Sequence, residues 1–106
     1  MQEYEIRKGF QENIEPARLR MQMEEIFGNV QERDGKLISS FGGLKEIAVW
    51  PSKKTIVVDT KMDPTVADDV AGSTIKAYNT FLEKLTGYTA KERGKRAQKK
   101  AKDGKL

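Results

Sequence analysis

Residues 30–62 read VQERDGKLISSFGGLKEIAVWPSKKTIVVDTKM, in which four short apolar runs are separated by turn residues. The pair Asp34-Gly35 between two such runs is typical of a two-residue type I′ hairpin. Gly42-Gly43 marks a second break, and residues 51–54 (PSKK) mark a third, since proline does not continue a central strand. The stretch therefore predicts an antiparallel meander of four strands, at residues 30–33, 36–41, 44–50 and 55–61.

The last hairpin of this meander predicts which side chains share a face of the sheet. A loop over residues 51–54 places Val49 opposite Ile56 and Ile47 opposite Val58, which gives an apolar face for helices to cover. The other face of the sheet would remain open.

The open face of the same hairpin holds Trp50 opposite Thr55, and it also brings two carboxylates together, because the register places Glu46 opposite Asp59. Like charges directly opposite each other destabilise a sheet by about 0.2–1 kcal/mol. Three explanations stay open: a neighbouring Lys or Arg compensates the charges, the true register differs, or the two carboxylates form a functional pair.

The flanking segments predict one more strand and two helices. Alternating apolar residues over 3–10 indicate a strand. Apolar residues at helical spacing over 13–28 predict a helix with Pro16 in its first turn and Gly28 after its end. Asp63 and Pro64 predict the start of a second helix, which continues to Gly87.

The resulting order is β-α-β-β-β-β-α. It predicts an α+β fold, a two-layer sandwich in which both helices cover one face of a mostly antiparallel sheet. In topology alone, this order resembles one half of the TATA-box-binding protein fold. The whole chain, with its closing Gly87-Tyr88-Thr89-Ala90-Lys91-Glu92-Arg93 and basic end, is similar to a family of small uncharacterised archaeal proteins. That resemblance brings no site residues with it.

Charge is divided unevenly along the chain. Residues 1–86 hold 12 basic and 14 acidic residues, a net charge of −2, whereas residues 87–106 hold 8 basic and 2 acidic residues, a net charge of +6. The second segment has almost no large apolar residue to bury. We therefore expect a compact domain over 1–87 and a basic, flexible C-terminal tail over 88–106, which is either disordered or a frayed continuation of the last helix.

The composition argues against most enzyme classes. The 106 residues include no Cys and no His, which excludes thiolate nucleophiles, Cys- or His-ligated metal sites and the usual general base near neutral pH. The segment 39–43 (SSFGG) lacks P-loop spacing and leads into a strand, so it predicts a turn. We expect no catalytic residues, no metal site and no cofactor, and an enzyme of unrecognised type is a minor alternative. Without an apolar leader or membrane span, a cytoplasmic location is expected.

Two hypotheses about binding follow. In the first, the basic tail neutralises phosphates of a nucleic acid, or contacts an acidic protein, through Lys91, Arg93, Lys95, Arg96, Lys99 and Lys100. In the alternative, the open face of the sheet forms a homodimer interface through Ile38, Leu44, Trp50 and Val57, and the tail is passive.

Overall fold

The computed structural model of the protein describes residues 2–104, without the side chains of residues 97 and 99–104. A 3₁₀ turn (Gln11–Ile14) follows the first strand. The other elements, in chain order, are β1 (Gln2–Glu5), α1 (Pro16–Phe27), β2 (Gln31–Arg33), β3 (Lys36–Phe41), β4 (Leu44–Ser52), β5 (Thr55–Met62), α2 (Asp68–Thr86) and α3 (Ala90–Gly104).

The five strands form one fully antiparallel sheet in the order β1-β5-β4-β3-β2. Helices α1 and α2 bury their apolar side chains together against the inward residues of β3, β4 and β5, so one core lies between the sheet and the helices. Phe27 and Phe81 join the two helices there, with ring centroids 5.2 Å apart. The predicted α+β fold is confirmed, and the chain forms one further helix, α3, after the predicted elements.

Both predicted helices are present, but the predicted start of the second helix is wrong. Helix α1 ends as predicted, with Gly28 in the left-handed conformation at φ 82°. Helix α2 begins at Asp68, later than predicted. Asp63 does not cap it, because its carboxylate accepts hydrogen bonds from the backbone N–H and the hydroxyl of Thr65 in a local turn.

The first β-hairpin of the meander agrees with the prediction, and the last one differs. Asp34 and Gly35 both have positive φ, 54° and 78°, as a type I′ turn requires. In the β4–β5 hairpin, Ser52 pairs with Thr55, so the loop has two residues and Pro51 belongs to β4. The strand tolerates this proline because β3 pairs with β4 only as far as Val49 at this end.

The shorter loop moves the register by two residues, which keeps each side chain on its predicted face but changes its partner. Glu46 therefore lies opposite Lys61, not Asp59, and forms ion pairs with Lys61 at 3.7 Å and with Arg33 at 3.4 Å. Beyond Glu46, a bulge at Lys45 changes the pairing a second time. The predicted juxtaposition of Glu46 and Asp59 is wrong, and cross-strand cations compensate Glu46.

The prediction that Leu44 lies on the open face is also wrong. The bulge at Lys45 reverses the alternation, so Leu44 faces the helices and is 2% exposed. The adjacent Gly42-Gly43 turn is held from the helix side by Thr74 of α2, whose hydroxyl accepts a hydrogen bond from the Gly43 N–H and donates one to the Val70 carbonyl.

The first strand is shorter than predicted. Strand β1 ends at Glu5, so only Tyr4 of the alternating apolar residues pairs with β5, whereas Ile6 and Phe10 lie beyond the strand and still pack in or against the core. Lys8 is exposed, and residues 6–10 form a turn with Gly9 at φ 95°.

Candidate functional site

Helix α3 occupies most of the segment that the sequence predicts as a solvated tail. It begins at a reciprocal pair of hydrogen bonds: the Glu92 N–H donates to the Thr89 hydroxyl at 3.1 Å, and the Thr89 N–H donates to the Glu92 carboxylate at 2.9 Å. This capping box satisfies two N–H groups that a helix start otherwise leaves without partners. The bond from the Thr89 N–H is the main cause of a lowered pKa at Glu92.

Arg93 anchors α3 to the body of the protein. The residue is only 9% exposed. Its guanidinium donates to the Tyr88 carbonyl at 2.7 Å and to the Asn79 side-chain oxygen at 3.0 Å, and it lies 5.8 Å from the centre of the Tyr4 ring. Burial lowers its pKa. The prediction that Arg93 is a solvated binding residue is therefore wrong, since its hydrogen bonds are made within the chain.

Arg96 makes a second attachment, one helical turn further along. Its guanidinium forms an ion pair with Glu5 of β1 at 2.7 Å and lies 4.5 Å from the centre of the Tyr88 ring. The hydrogen bond to Glu5 is the main cause of a raised pKa at Arg96. Arg7 lies on the same ring at 5.9 Å, so Tyr88 is in contact with two guanidinium groups.

Lys91 and Lys95 are exposed, and they lie four residues apart on α3. Residues at this spacing share one side of a helix. Arg93 and Arg96 occupy the other side and face the protein. The side chains of Lys99 and Lys100, the remaining predicted tail residues, lie outside the described part of the structure. By helical spacing alone, position 99 continues the row of 91 and 95.

The residues predicted for the sheet-face interface are only partly brought together. Ile38 pairs with Ala48, and Trp50 pairs with Val57, on the face that α1 and α2 leave uncovered. Leu44 lies on the opposite face, in the core, as described above. Ile38 is 9% exposed, and Trp50 is half-buried with the Lys36 ammonium 4.4 Å from its ring centre. The exposed apolar surface on this face is therefore small.

Sequence reasoning missed the residues that hold α3 in place, which are Tyr4, Glu5, Asn79 and Thr89. Only Thr89 had a local signal, the T-x-x-E spacing of Thr89 and Glu92 that marks a helix start. The other three lie on β1 and α2, far from α3 in sequence.

The described residues provide neither a membrane-spanning helix nor a cluster of metal-ligating side chains. No helix among residues 2–104 is both long and apolar enough to cross a membrane. Within the same part of the chain, no three carboxylates approach each other closely enough to hold a metal ion.

The chain matches a known family model and a solved structure. The model for a domain of unknown function, DUF5611, matches residues 1–99, which includes most of α3. The fold is similar to the NMR solution structure of a hypothetical protein from the archaeon Thermoplasma acidophilum, with 35% sequence identity and a TM-score of 0.71, over 92% of this chain and 97% of that one. No curated protein matches. The similarity to an uncharacterised archaeal family is confirmed, and the chain belongs to the DUF5611 family.

Proposed function

We propose that this protein is a small, non-enzymatic, cytoplasmic module that binds the phosphate backbone of nucleic acids through the outward side of α3. The supporting observation is the division of the helix into two sides. Arg93 and Arg96 attach it to the body, and Lys91 and Lys95 are exposed one turn apart on the other side.

A phosphate backbone suits this surface better than an acidic protein does. The segment 90–104 carries seven basic and two acidic residues, a net charge of +5. Its exposed described residues include Lys91, Lys95 and Gln98 but no large apolar side chain, so it lacks the apolar centre of a stable protein interface. Duplex DNA presents one charge per about 1.7 Å of its axis, which gives each lysine a choice of phosphates. Binding of this kind is independent of base sequence.

The test is a fluorescence anisotropy titration of a labelled DNA duplex of about 20 base pairs at about 0.1 M salt, with an RNA duplex in parallel. Under these conditions one phosphate contact contributes about eightfold to affinity, so the double variant Lys91→Glu, Lys95→Glu should bind up to about 60-fold more weakly. The matched control is Lys54→Glu, Lys76→Glu, which makes the same change in net charge at two exposed lysines outside α3.

We expect the control variant to keep most of the affinity. Equal weakening in the two variants would mean that only net charge matters, and the proposal would fail. It would also fail if neither duplex binds and polyglutamate does, because that result identifies an acidic protein as the partner.

The homodimer is the alternative proposal, and it is carried by Trp50 and Val57, which lie opposite each other on the open face. Light scattering tests the dimer. A mass near the 12.0 kDa of one chain would remove the dimer proposal. A mass near twice that value, lowered by Trp50→Ala, would favour the dimer.

A further inference from the structure

A groove of about 380 Å³ lies between α2 and the inward side of β5, next to the end of β1. Its volume is at the lower end of the range for small-molecule sites in proteins. Neither Lys91 nor Lys95 lines the groove, so it is separate from the proposed phosphate-binding side of α3. Its lining residues are Gln2, Leu44, Val58, Thr60, Met62, Thr74, Ile75, Tyr78 and Asn79.

One end of the groove is apolar and unusually exposed. Ile75 is 54% exposed and Met62 is 46% exposed, which makes them two of the three large apolar side chains exposed in the described structure. Leu44 lies beneath them in the core. Two exposed apolar side chains that flank one concave surface can bury a short hydrocarbon chain.

The other end of the groove presents hydrogen-bond donors. The oxygen of the Asn79 amide is occupied by Arg93, and the oxygen of the Gln2 amide accepts from the Tyr4 hydroxyl. No described residue accepts a hydrogen bond from the NH₂ group of either amide. These two NH₂ groups are thus the ends that remain for a ligand.

Tyr78 adds no negative charge to this end. Its hydroxyl lies 3.1 Å from the Tyr4 hydroxyl, at hydrogen-bond distance. Burial raises the pKa of Tyr78, which keeps the phenol neutral.

The guanidinium of Arg93, which holds the Asn79 amide, places a full positive charge next to the polar end of the groove. Among the described side chains, no carboxylate lies within ion-pair distance of it, although Glu83 is close enough to interact with it electrostatically, and its direct partners are a carbonyl, an amide oxygen and an aromatic ring. A buried cation whose hydrogen-bond acceptors are neutral and whose nearby carboxylate forms no ion pair with it keeps a positive potential around it, and that potential favours an anion.

We propose that the groove binds a small amphipathic carboxylate, with the hydrocarbon chain between Met62 and Ile75 and the carboxylate at the amide groups of Gln2 and Asn79. Arg93 is a positioning residue: it fixes the orientation of the Asn79 amide and supplies positive charge, and it need not touch the ligand.

The test is an NMR titration of the full chain with hexanoate, and with hexanamide and acetate as the matched neutral and short probes. Hexanoate should shift resonances of Met62, Ile75 and Asn79. It should bind more tightly than hexanamide, and each methylene that it buries beyond acetate should add about fourfold in affinity. Equal affinity for hexanoate and hexanamide, or shifts confined to surface lysines, would overturn the proposal.

Three variants locate the site. Ile75→Glu should weaken hexanoate binding by about tenfold or more, because it removes apolar contact and adds a negative charge. Met21→Glu is the control, since Met21 is 68% exposed on α1 and does not line the groove. Asn79→Asp keeps the acceptor for Arg93 but adds a carboxylate, so it should abolish the preference for hexanoate over hexanamide. Retained preference in this variant, or equal weakening by Met21→Glu, would contradict the assignment.

Discussion

Arg93 and Arg96 attach the same helix, but their surroundings predict very different contributions to stability. Arg93 is 9% exposed and makes two hydrogen bonds, at 2.7 and 3.0 Å. Hydrogen bonds to a charged group contribute about 1.5–3 kcal/mol each, and removal of the cation recovers part of its desolvation penalty. We therefore expect Arg93→Ala to lower the free energy of unfolding by about 2–4 kcal/mol, which corresponds to a fall in Tm of roughly 10–20 °C.

Arg96→Ala is the matched comparison on the next turn. The side chains of Arg96 and Glu5 are 45% and 42% exposed, so their ion pair is solvated and screened by salt. Exposed pairs of this kind contribute about 0–1 kcal/mol. The expected loss is therefore well below that of Arg93→Ala, although the Arg96–Glu5 contact is as short as the shortest contact of Arg93.

Urea denaturation followed by circular dichroism measures both losses, and amide hydrogen exchange shows where they occur. We expect Arg93→Ala to increase exchange throughout the described part of α3, because the helix loses its main attachment to Tyr88 and Asn79. The reasoning is refuted if Arg93→Ala unfolds within about 0.5 kcal/mol of the unmodified chain, or if the two variants lose equal amounts.

Two further predictions concern the turn between β3 and β4 and the start of α3. Gly42→Ala should destabilise the protein by about 1–3 kcal/mol, because φ is +52° and the added Cβ would overlap the Thr74 hydroxyl. Gly72→Ala, inside α2 with open space around it, should stabilise by about 0.5–1 kcal/mol, and thermal denaturation of both variants checks the contrast. For Glu92, carboxyl NMR titration should give a pKa below the ordinary 4.5, and Thr89→Ala should leave most of this lowering, because the backbone N–H of residue 89 that mainly causes it remains. Because this pKa is lowered on folding, the capping contribution is present above the unfolded pKa and is lost as pH falls through the folded one, so α3 should lose helicity in acid; a Glu92 pKa at or above 4.5 in the unmodified chain would contradict this account.

The meander was predictable because its signals are local. Asp34-Gly35 specifies its turn by the φ angles that the two residues adopt readily, and Val49 and Val58 identify the core face by alternation. The exact pairing of residues between β4 and β5 was harder to predict from the sequence. Nothing in the sequence near Lys45 marks a bulge, and that bulge is what moves Leu44 from the open face into the core.

The C-terminal segment shows a different limit of sequence-based prediction. Its composition predicts exposed side chains, and Lys91 and Lys95 are indeed exposed. It does not hold for Arg93, whose partners Tyr4 and Asn79 come from distant elements that only the fold brings together. The T-x-x-E spacing at Thr89 predicts where a helix starts, but a capping signal cannot predict what that helix packs against.

The groove was not predictable either. Gln2, Met62 and Asn79 lie in three separate elements, and Ile75 is an apolar residue of α2 that is nevertheless exposed. Helical spacing identifies the side of a helix that faces the protein, but it does not show where the sheet ends beneath that helix.

The central claim is that α3 has one side bound to the protein and one side available to phosphates. The most direct measurement is the dependence of duplex DNA affinity on salt, plotted as log K against log salt concentration. Each phosphate contact contributes about 0.9 to the slope, so Lys91→Gln, Lys95→Gln should reduce its magnitude by about 1.8. Arg96→Gln should leave the slope unchanged, because Arg96 is already paired with Glu5. Equal reductions per charge removed at Arg96 and at the two lysines would contradict the claim.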